Sequence, residues 1–151
     1  MKKRKKILTI IVGTFVILFV AAIYIYKEYN RRLSDTADLK PDYSLTAAGL
    51  IAEFENNEQE ANKKFWDKVI EVNGMVKEVS TDESGTNTVM LGDTTSMSSI
   101  RCSIDSAHSD ESSKLTRGIN TTLKGICTGF NADELLGSDV ILVRCVAVTG
   151  K

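Results

Sequence analysis

The stretch Lys68–Val79, KVIEVNGMVKEV, places Ile70, Val72 and Val76 on one side of an alternating pattern, with Glu71, Asn73 and Lys77 on the other. A period of two is that of an extended strand with one face buried and one face wet. Gly74 falls on the apolar side, the one position there without a side chain. In a strand, such a glycine marks a sharp bend or the close approach of another backbone. A strand buried on one face and bent near its middle is how a small barrel begins, and this one sets the reading of the residues around it.

The segments that follow repeat the pattern. After the turn-rich Thr81–Asn87 (TDESGTN), the run Thr88–Gly92 alternates Val89 and Leu91 with Thr88 and Met90, so the two strands form a hairpin. Asp93–Ser99 is a Ser/Thr-rich loop, and Ile100, Cys102 and Ile104 give a third strand. Asp105–Thr116 is long and polar and reads as a loop, with Gly118 in the turn that ends it. Asn120–Phe130 and Asp139–Val148 complete the set. Five short strands, one long connection between the third and fourth, and no internal repeat predict a mainly β domain, closed or nearly closed into a barrel over 68–151.

Residues 44–67 read as a helical lead-in to this barrel. Ser44 or Thr46 supplies a cap, and Leu50, Ile51 and Phe54 form an apolar stripe at helical spacing. Asn57, with Glu60 three residues on, is a capping box that starts a second helix carrying Ala61 and Phe65 on one side. The aromatic pair Phe65–Trp66 is expected to pack against the sheet; the competing reading is an exposed stacking platform.

Upstream, Ile7–Tyr26 is twenty residues without a charge, ILTIIVGTFVILFVAAIYIY, enough to cross the hydrocarbon of a bilayer as one helix. Five basic residues at 2–6 precede it, against Lys27, Arg31 and Arg32 with Glu28 behind it, a bias that keeps residues 1–6 in the cytoplasm. A cleaved secretory signal is the alternative, with Val20-Ala21-Ala22 as the cleavage site and a secreted product. The length of the run and the aromatics at Tyr24 and Tyr26 favour a retained single-pass anchor. No Cys stands behind the run at a lipobox position. Either way the rest of the chain lies outside the cytoplasm, periplasmic or extracellular, behind a polar linker over 27–43 that contains the only proline, Pro41.

The charge balance bears on partners. Residues 33–151 hold 11 basic and 19 acidic groups, a net of −8. Phosphate backbones are bound by clustered Lys and Arg, so an acidic domain disfavours nucleic acid.

The run Asn57-Glu58, Ala61, Phe65, Lys68 and Ile70-x-Val72-x-Gly74-x-Val76 resembles the bacterial tRNA-anti-like family of OB-fold proteins. So do Ile100-x-Cys102, Gly118, Leu123-Lys124-Gly125-x-Cys127-x-Gly129 and Leu142 through Cys145, and the resemblance covers about residues 45–148. It implies a five-stranded Greek-key barrel with an N-terminal helical extension, often held behind a membrane or lipoprotein anchor. Fold alone assigns no function. The family tends to carry tyrosine where this chain has Phe65, so no hydroxyl acts there.

In a barrel of this type the fifth strand lies between the third and fourth, which makes Cys145 a neighbour of Cys102 or of Cys127. Cys102 shares a face with Ile100 and Ile104, and Cys145 with Ile141 and Val143, so both point inward. Outside the cytoplasm one disulfide is permitted, leaving an odd thiol; otherwise the three are small buried hydrophobes. There is no Cys-x-x-Cys pair, and the single histidine, His108, lies in the polar loop beside Ser106, Ser109 and Asp110, so neither a metal site nor a triad is expected. Asp105, Asp110 and Glu111 lack EF-hand spacing and read as a solvated face. No catalytic residue and no cofactor are expected. The ligand face of such a barrel is the outside of its second and third strands, here Thr88, Met90, Arg101 and Ser103, a set without an aromatic. The chain is therefore expected to be a non-enzymatic, membrane-anchored, extracytoplasmic binding module for a protein partner or small polar ligand. The alternative is a nucleic-acid- or oligosaccharide-binding protein.

Overall fold

A computed structural model of the chain describes residues 17, 19–26, 35–112, 114–133 and 135–148. They fall in two units, Met1–Ser34 and Asp35–Lys151. In the first, residues 17 and 19–26 are helical, and Ile17, Phe19, Val20, Ile23 and Ile25 are exposed. Among the described residues no helix is long and apolar enough to cross a membrane. The basic segment 1–6, most of the expected span and the first part of the expected linker lie outside the described residues.

The second unit contains six strands: β1 (Tyr43–Thr46), β2 (Val69–Thr81), β3 (Asn87–Leu91), β4 (Ser99–Ile104), β5 (Asn120–Asn131) and β6 (Asp139–Ala147). They lie in the order β1-β2-β3-β4-β6-β5, and β2 also pairs with β5, which closes five of them into a barrel. The long strand β2 changes partners along its length. Its first half, Val69–Met75, runs antiparallel to β5, and its second half, from Val76, runs antiparallel to β3. A register shift between Val76 and Glu78 marks the changeover, where a bulge bends the strand. Gly74 sits just before it. A Cβ at Gly74 would stand 2.8 Å from the Cβ of Ala47 and 3.4 Å from that of Leu91. The glycine is thus a place of close approach, where the start of helix α1 (Ala47–Asn56) settles onto the barrel.

Helix α1 and helix α2 (Glu58–Phe65) cover one end of the barrel. Leu50, Ile51 and Phe54 of α1 and Ala61 and Phe65 of α2 are buried with Ile70, Val72, Leu91, Ile100, Leu123 and Leu142 in a single core. Phe65 lies edge-on to Tyr43, with ring centroids 5.1 Å apart, and Phe54 stacks on Phe130 at the same separation. Both caps are formed: Gly49 N–H donates to Thr46 Oγ1 and Glu60 N–H to Asn57 Oδ1. The capping box is only half made, because Glu60 turns outward to Lys63 and the Asn57 N–H donates to the Glu53 carbonyl.

The linker and lead-in differ from expectation. Tyr43–Thr46 is strand, not linker or helix, and pairs in parallel with Ile70–Asn73, the edge of β2 that β3 leaves unpaired. Asp35–Asp42 is strapped to the barrel. Lys124, almost fully buried, donates to the carbonyls of Ala37 and Leu39 at 2.8 Å each. Asp42 N–H donates to the Val69 carbonyl at 2.8 Å, and Val69 N–H to Asp42 Oδ2 at 2.9 Å. Asp105–Thr116 is not a plain loop either: it holds a 3-10 turn (Ser106–His108) and a one-turn helix, α3 (Ser109–Ser112). There the Ser112 hydroxyl is buried and accepts from Asn87 Nδ2 at 2.7 Å.

His108 and Asp35, seventy-three residues apart, meet at 2.9 Å across this strap. The hydrogen bond to Asp35 raises the proton affinity of His108 against the opposing effect of burial, and the charges of Asp35 and Glu111 add to it. Asp35 is held below the usual aspartate range, first by the Ala37 N–H and then by His108, with a lesser pull from Arg144. A raised histidine contributes stability that is complete below its ordinary value of 6.5 and is lost as pH rises through the higher folded value. A lowered aspartate contributes stability above its ordinary 3.8, lost as pH falls through the lower folded value.

Two outcomes follow from these contacts. Gly74→Ala is expected to lower the stability of the domain by about 1–3 kcal/mol, read as a lower urea midpoint with an unchanged slope; a wild-type midpoint contradicts the close approach. The imidazole of His108, followed by NMR, is expected to titrate above 6.5 and to move back toward that value in Asp35→Asn. Titration of the wild type at or below it would mean that the strap is not held as described.

Candidate binding surface

The four residues expected on the ligand face do share one face, as two cross-strand pairs: Thr88 opposite Ser103 and Met90 opposite Arg101. Thr88, Met90 and Ser103 are half-buried and Arg101 is exposed. They do not line one common depression. Met90 borders a depression with Lys77, Met97 and Arg117, Ser103 a smaller one near Asn87, and Arg101 a third on the far side of β4. The charge of Arg101 is also committed, because its Nη2 lies 2.9 Å from Asp139 Oδ2 on the neighbouring strand β6.

The third depression, about 720 Å³, is where the expected aromatic pair divides. Phe65 is fully buried, whereas Trp66 is 57% exposed, so the expectation that both would pack into the core holds for Phe65 alone. Successive helical positions point about 100° apart and cannot share a face. Trp66 ends α2, its N–H making the last helical bond to the Asn62 carbonyl at 2.9 Å. Asp67 then takes a left-handed conformation, φ 58°, uncommon for a residue with a side chain. Its N–H donates to the Cys127 carbonyl at 2.9 Å, and the Cys127 N–H returns to the Lys68 carbonyl at 3.0 Å. This tight turn pins the indole beside β5, where Trp66 Cζ3 would be 3.9 Å from a Cβ placed on Gly129.

Polar groups surround the indole. Asn62, one helical turn before Trp66, borders the same depression, and its Oδ1 is shielded from solvent without a hydrogen-bond partner. Asn131 and Thr128 come from β5, Glu58 from the start of α2, and the Arg101–Asp139 pair from β4 and β6. The charges around the rim are Glu58, Asp139 and Arg101, a net of −1. The arrangement offers a flat aromatic surface flanked by amides, a carboxylate and a guanidinium. It can hold a ring that presents hydroxyls, with a weak repulsion toward anions. Trp66 is the residue the expected ligand face lacked.

Cys102, Cys127 and Cys145 are free and fully buried. Cys145 neighbours Cys102, and burial together with the hydrogen bond between the two thiols pushes the Cys145 thiol well above its usual range; burial likewise raises Cys127. Cys145 points inward by a different route from the one expected. Val140 and Leu142 are the buried residues of β6 while Ile141 and Val143 are half-buried, and Arg144, at φ 52°, sits in the irregularity that returns Cys145 to the inner face. The space is filled so closely that a Cβ on Gly125 would overlap Cys145 Sγ. Among the described residues no three His, Cys, Asp or Glu side chains converge to hold a metal ion.

A closed five-stranded barrel with this strand order is an OB-type fold. The chain belongs to the tRNA-anti-like family, whose pattern matches residues 1–146. Among solved structures, a candidate nucleic acid-binding lipoprotein from Klebsiella pneumoniae is similar over 79% of this chain and 100% of its own, at 16% identity and a TM-score of 0.55. The Stn1-ten1 complex of S. pombe matches 54% of this chain and 59% of its own at 15% identity and a TM-score of 0.37. Asparaginyl-tRNA synthetase from Pyrococcus horikoshii matches 62% of this chain and 22% of its own at 17% identity and a TM-score of 0.39. No curated protein matches the chain in sequence.

The thiols give a direct check on the interior. In the native chain at mildly alkaline pH an aromatic disulfide reagent is expected to label none of the three cysteines, and in guanidinium all three, without prior reduction. A single labelled thiol in guanidinium would show that two of them are bridged.

Proposed function

We propose that this chain is a single-pass membrane protein, with its N-terminus in the cytoplasm, that displays a non-enzymatic OB-fold binding module outside it. The uncharged run Ile7–Tyr26 and its lopsided basic flanks support the anchor. The similar Klebsiella protein is described as a lipoprotein, another way of holding such a barrel at an envelope. This chain has no cysteine before Cys102, so its own apolar run takes that role.

The observation that carries the binding reading is the fate of the cations. On the face where an OB barrel meets a nucleic acid, the single charge, Arg101, is neutralised by Asp139. Lys77 is likewise turned inward, donating to the carbonyls of Ser96 and Ser98 at 2.7 and 3.0 Å. A phosphate backbone would meet an acidic domain in which these two cations are already engaged and Arg117 alone adds positive charge beside Met90, which favours a protein partner or a small polar ligand instead. His108 is engaged with Asp35 and Glu111, a structural use that supports the non-enzymatic reading.

External protease added to intact spheroplasts is expected to remove the domain while leaving the N-terminal segment in the membrane fraction. Protection of the domain until the membrane is broken would overturn the topology. Mixed-sequence single-stranded oligonucleotides are expected to bind the detergent-solubilised chain negligibly at physiological salt. Tight binding that weakens steeply with salt and is lost in Arg101→Ala would replace this reading with nucleic-acid recognition.

A further inference from the structure

We propose that the depression beside Trp66 is a binding site for an uncharged pyranose glycan. The inference rests on the reading of the domain as an extracytoplasmic binding module and names its ligand class.

Trp66 is the only tryptophan in the chain, and the residue is more than half exposed although the one before it is completely buried. Single exposed apolar side chains are ordinary; what distinguishes this ring is that it lies in a depression lined by amides and charged groups and has a polar N–H edge of its own. Its presentation is built by the backbone. Asp67 holds a left-handed conformation, and the hydrogen bonds of Asp67 and Lys68 to Cys127 lock the turn to β5. Strained non-glycine positions of this kind persist where the surrounding structure imposes them, and they concentrate at ligand sites.

A second, independent observation is the orphaned acceptor. Asn62 Oδ1 is shielded from solvent without a donor, on the turn of helix directly before Trp66 and in the same depression. Buried polar atoms are nearly always paired; Asn62 Oδ1 is closed off from water, so a ligand hydroxyl pairs with it only once the Asn62 amide turns into the depression. At about 720 Å³ the depression falls within the range of small-molecule sites.

The ligand class follows from the remaining groups. The C–H face of a pyranose lies flat on an indole, and its ring of hydroxyls both donates and accepts around the edge. Asn131 does both, Asp139 accepts, and Arg101 donates. Arg101 Nη2 and Asp139 Oδ2 are each other's partners at 2.9 Å, which leaves the other guanidinium N–H groups and the second carboxylate oxygen of the pair to meet vicinal hydroxyls. Glu58 and Asp139 outweigh Arg101, so phosphate, sulfate and uronate groups are repelled. A cationic ligand would meet the right sign of charge, but one aromatic face without a cage is a weak cation site.

Because Trp66 is the sole tryptophan, its fluorescence reports this site alone. The full chain in a sugar-free detergent such as lauryldimethylamine oxide is titrated with tetra-N-acetylchitotetraose, with a single-stranded oligonucleotide, and with choline. The glycan is expected to produce a saturable change in Trp66 emission whose midpoint does not move between low and high salt. By calorimetry, Trp66→Ala is expected to weaken glycan binding at least about tenfold, and Asn62→Ala several-fold, both with wild-type circular dichroism. A saturable response to the oligonucleotide or to choline alone would overturn the glycan assignment while leaving a binding module at this site. Silence to all three probes would overturn the site itself, and the broader reading would then stand or fall on protease topology and oligonucleotide binding elsewhere on the barrel. Undiminished glycan binding in Trp66→Ala would also overturn the site.

Discussion

The double pairing of β2 is the constraint on which the rest of the structure depends. One strand of thirteen residues must serve β5 with its first half and β3 with its second, because only then do five strands close into a barrel; the edge that this leaves on the first half of β2 is covered by β1. The changeover requires a bend, supplied by the irregularity between Val76 and Glu78, and it brings Gly74 against the first residue of α1. Closure also fixes the neighbours of every other strand. It sets β6 between β4 and β5, and so sets Arg101 beside Asp139 and Cys102 beside Cys145. It anchors the turn after α2 through Cys127 as well, which is what holds Trp66 at the surface.

The strands were legible in the sequence because each carries its burial in its own alternation. The boundaries of all five barrel strands agree with those expected to within a residue or two, and the helix stripes Leu50–Ile51–Phe54 and Ala61–Phe65 are buried as expected. What was not legible depends on contacts distant in sequence. Tyr43–Thr46 is too short to show a period, and it is a strand only because β2 has an edge to offer it. The strap over Asp35–Asp42 is held by Lys124 and His108, residues more than seventy positions away, so its polar composition looked like a tether. Cys145 defeated the parity argument because the irregularity at Arg144 shifts the alternation, an event with no mark in side-chain type.

Trp66 is a different kind of miss. The signal was present: Phe65 and Trp66 are adjacent on a helix, and adjacent helical residues point in different directions, so one of the two had to leave the core. Phe65 continues the stripe from Ala61 four residues earlier, and Trp66 does not. The candidate site was therefore partly within reach, while its other walls, Asn131 from β5 and the Arg101–Asp139 pair, assemble only through the strand order.

The electrostatics bear on function in the same direction. Beyond Arg101 and Lys77, the chain commits Lys64 to Glu53, Lys63 to Glu60, Arg144 to Asp105 and Lys124 to two carbonyls of the strap. A domain of net charge −8 that commits these cations to its own carbonyls and carboxylates presents a polyanion, among the described residues, with only scattered positive groups, Lys40, Lys68, Lys114 and Arg117. The aromatic depression at the end of α2 carries no acidic excess beyond a net of −1 around its rim and offers an uncharged ring instead. The most direct measurement is backbone amide mapping of the isotopically labelled full chain during addition of tetra-N-acetylchitotetraose. Shifts grouped at Asn62, Trp66, Asp67, Thr128 through Asn131 and Asp139 are the predicted result. Shifts grouped at Thr88, Met90 and Ser103, or none anywhere, would contradict it.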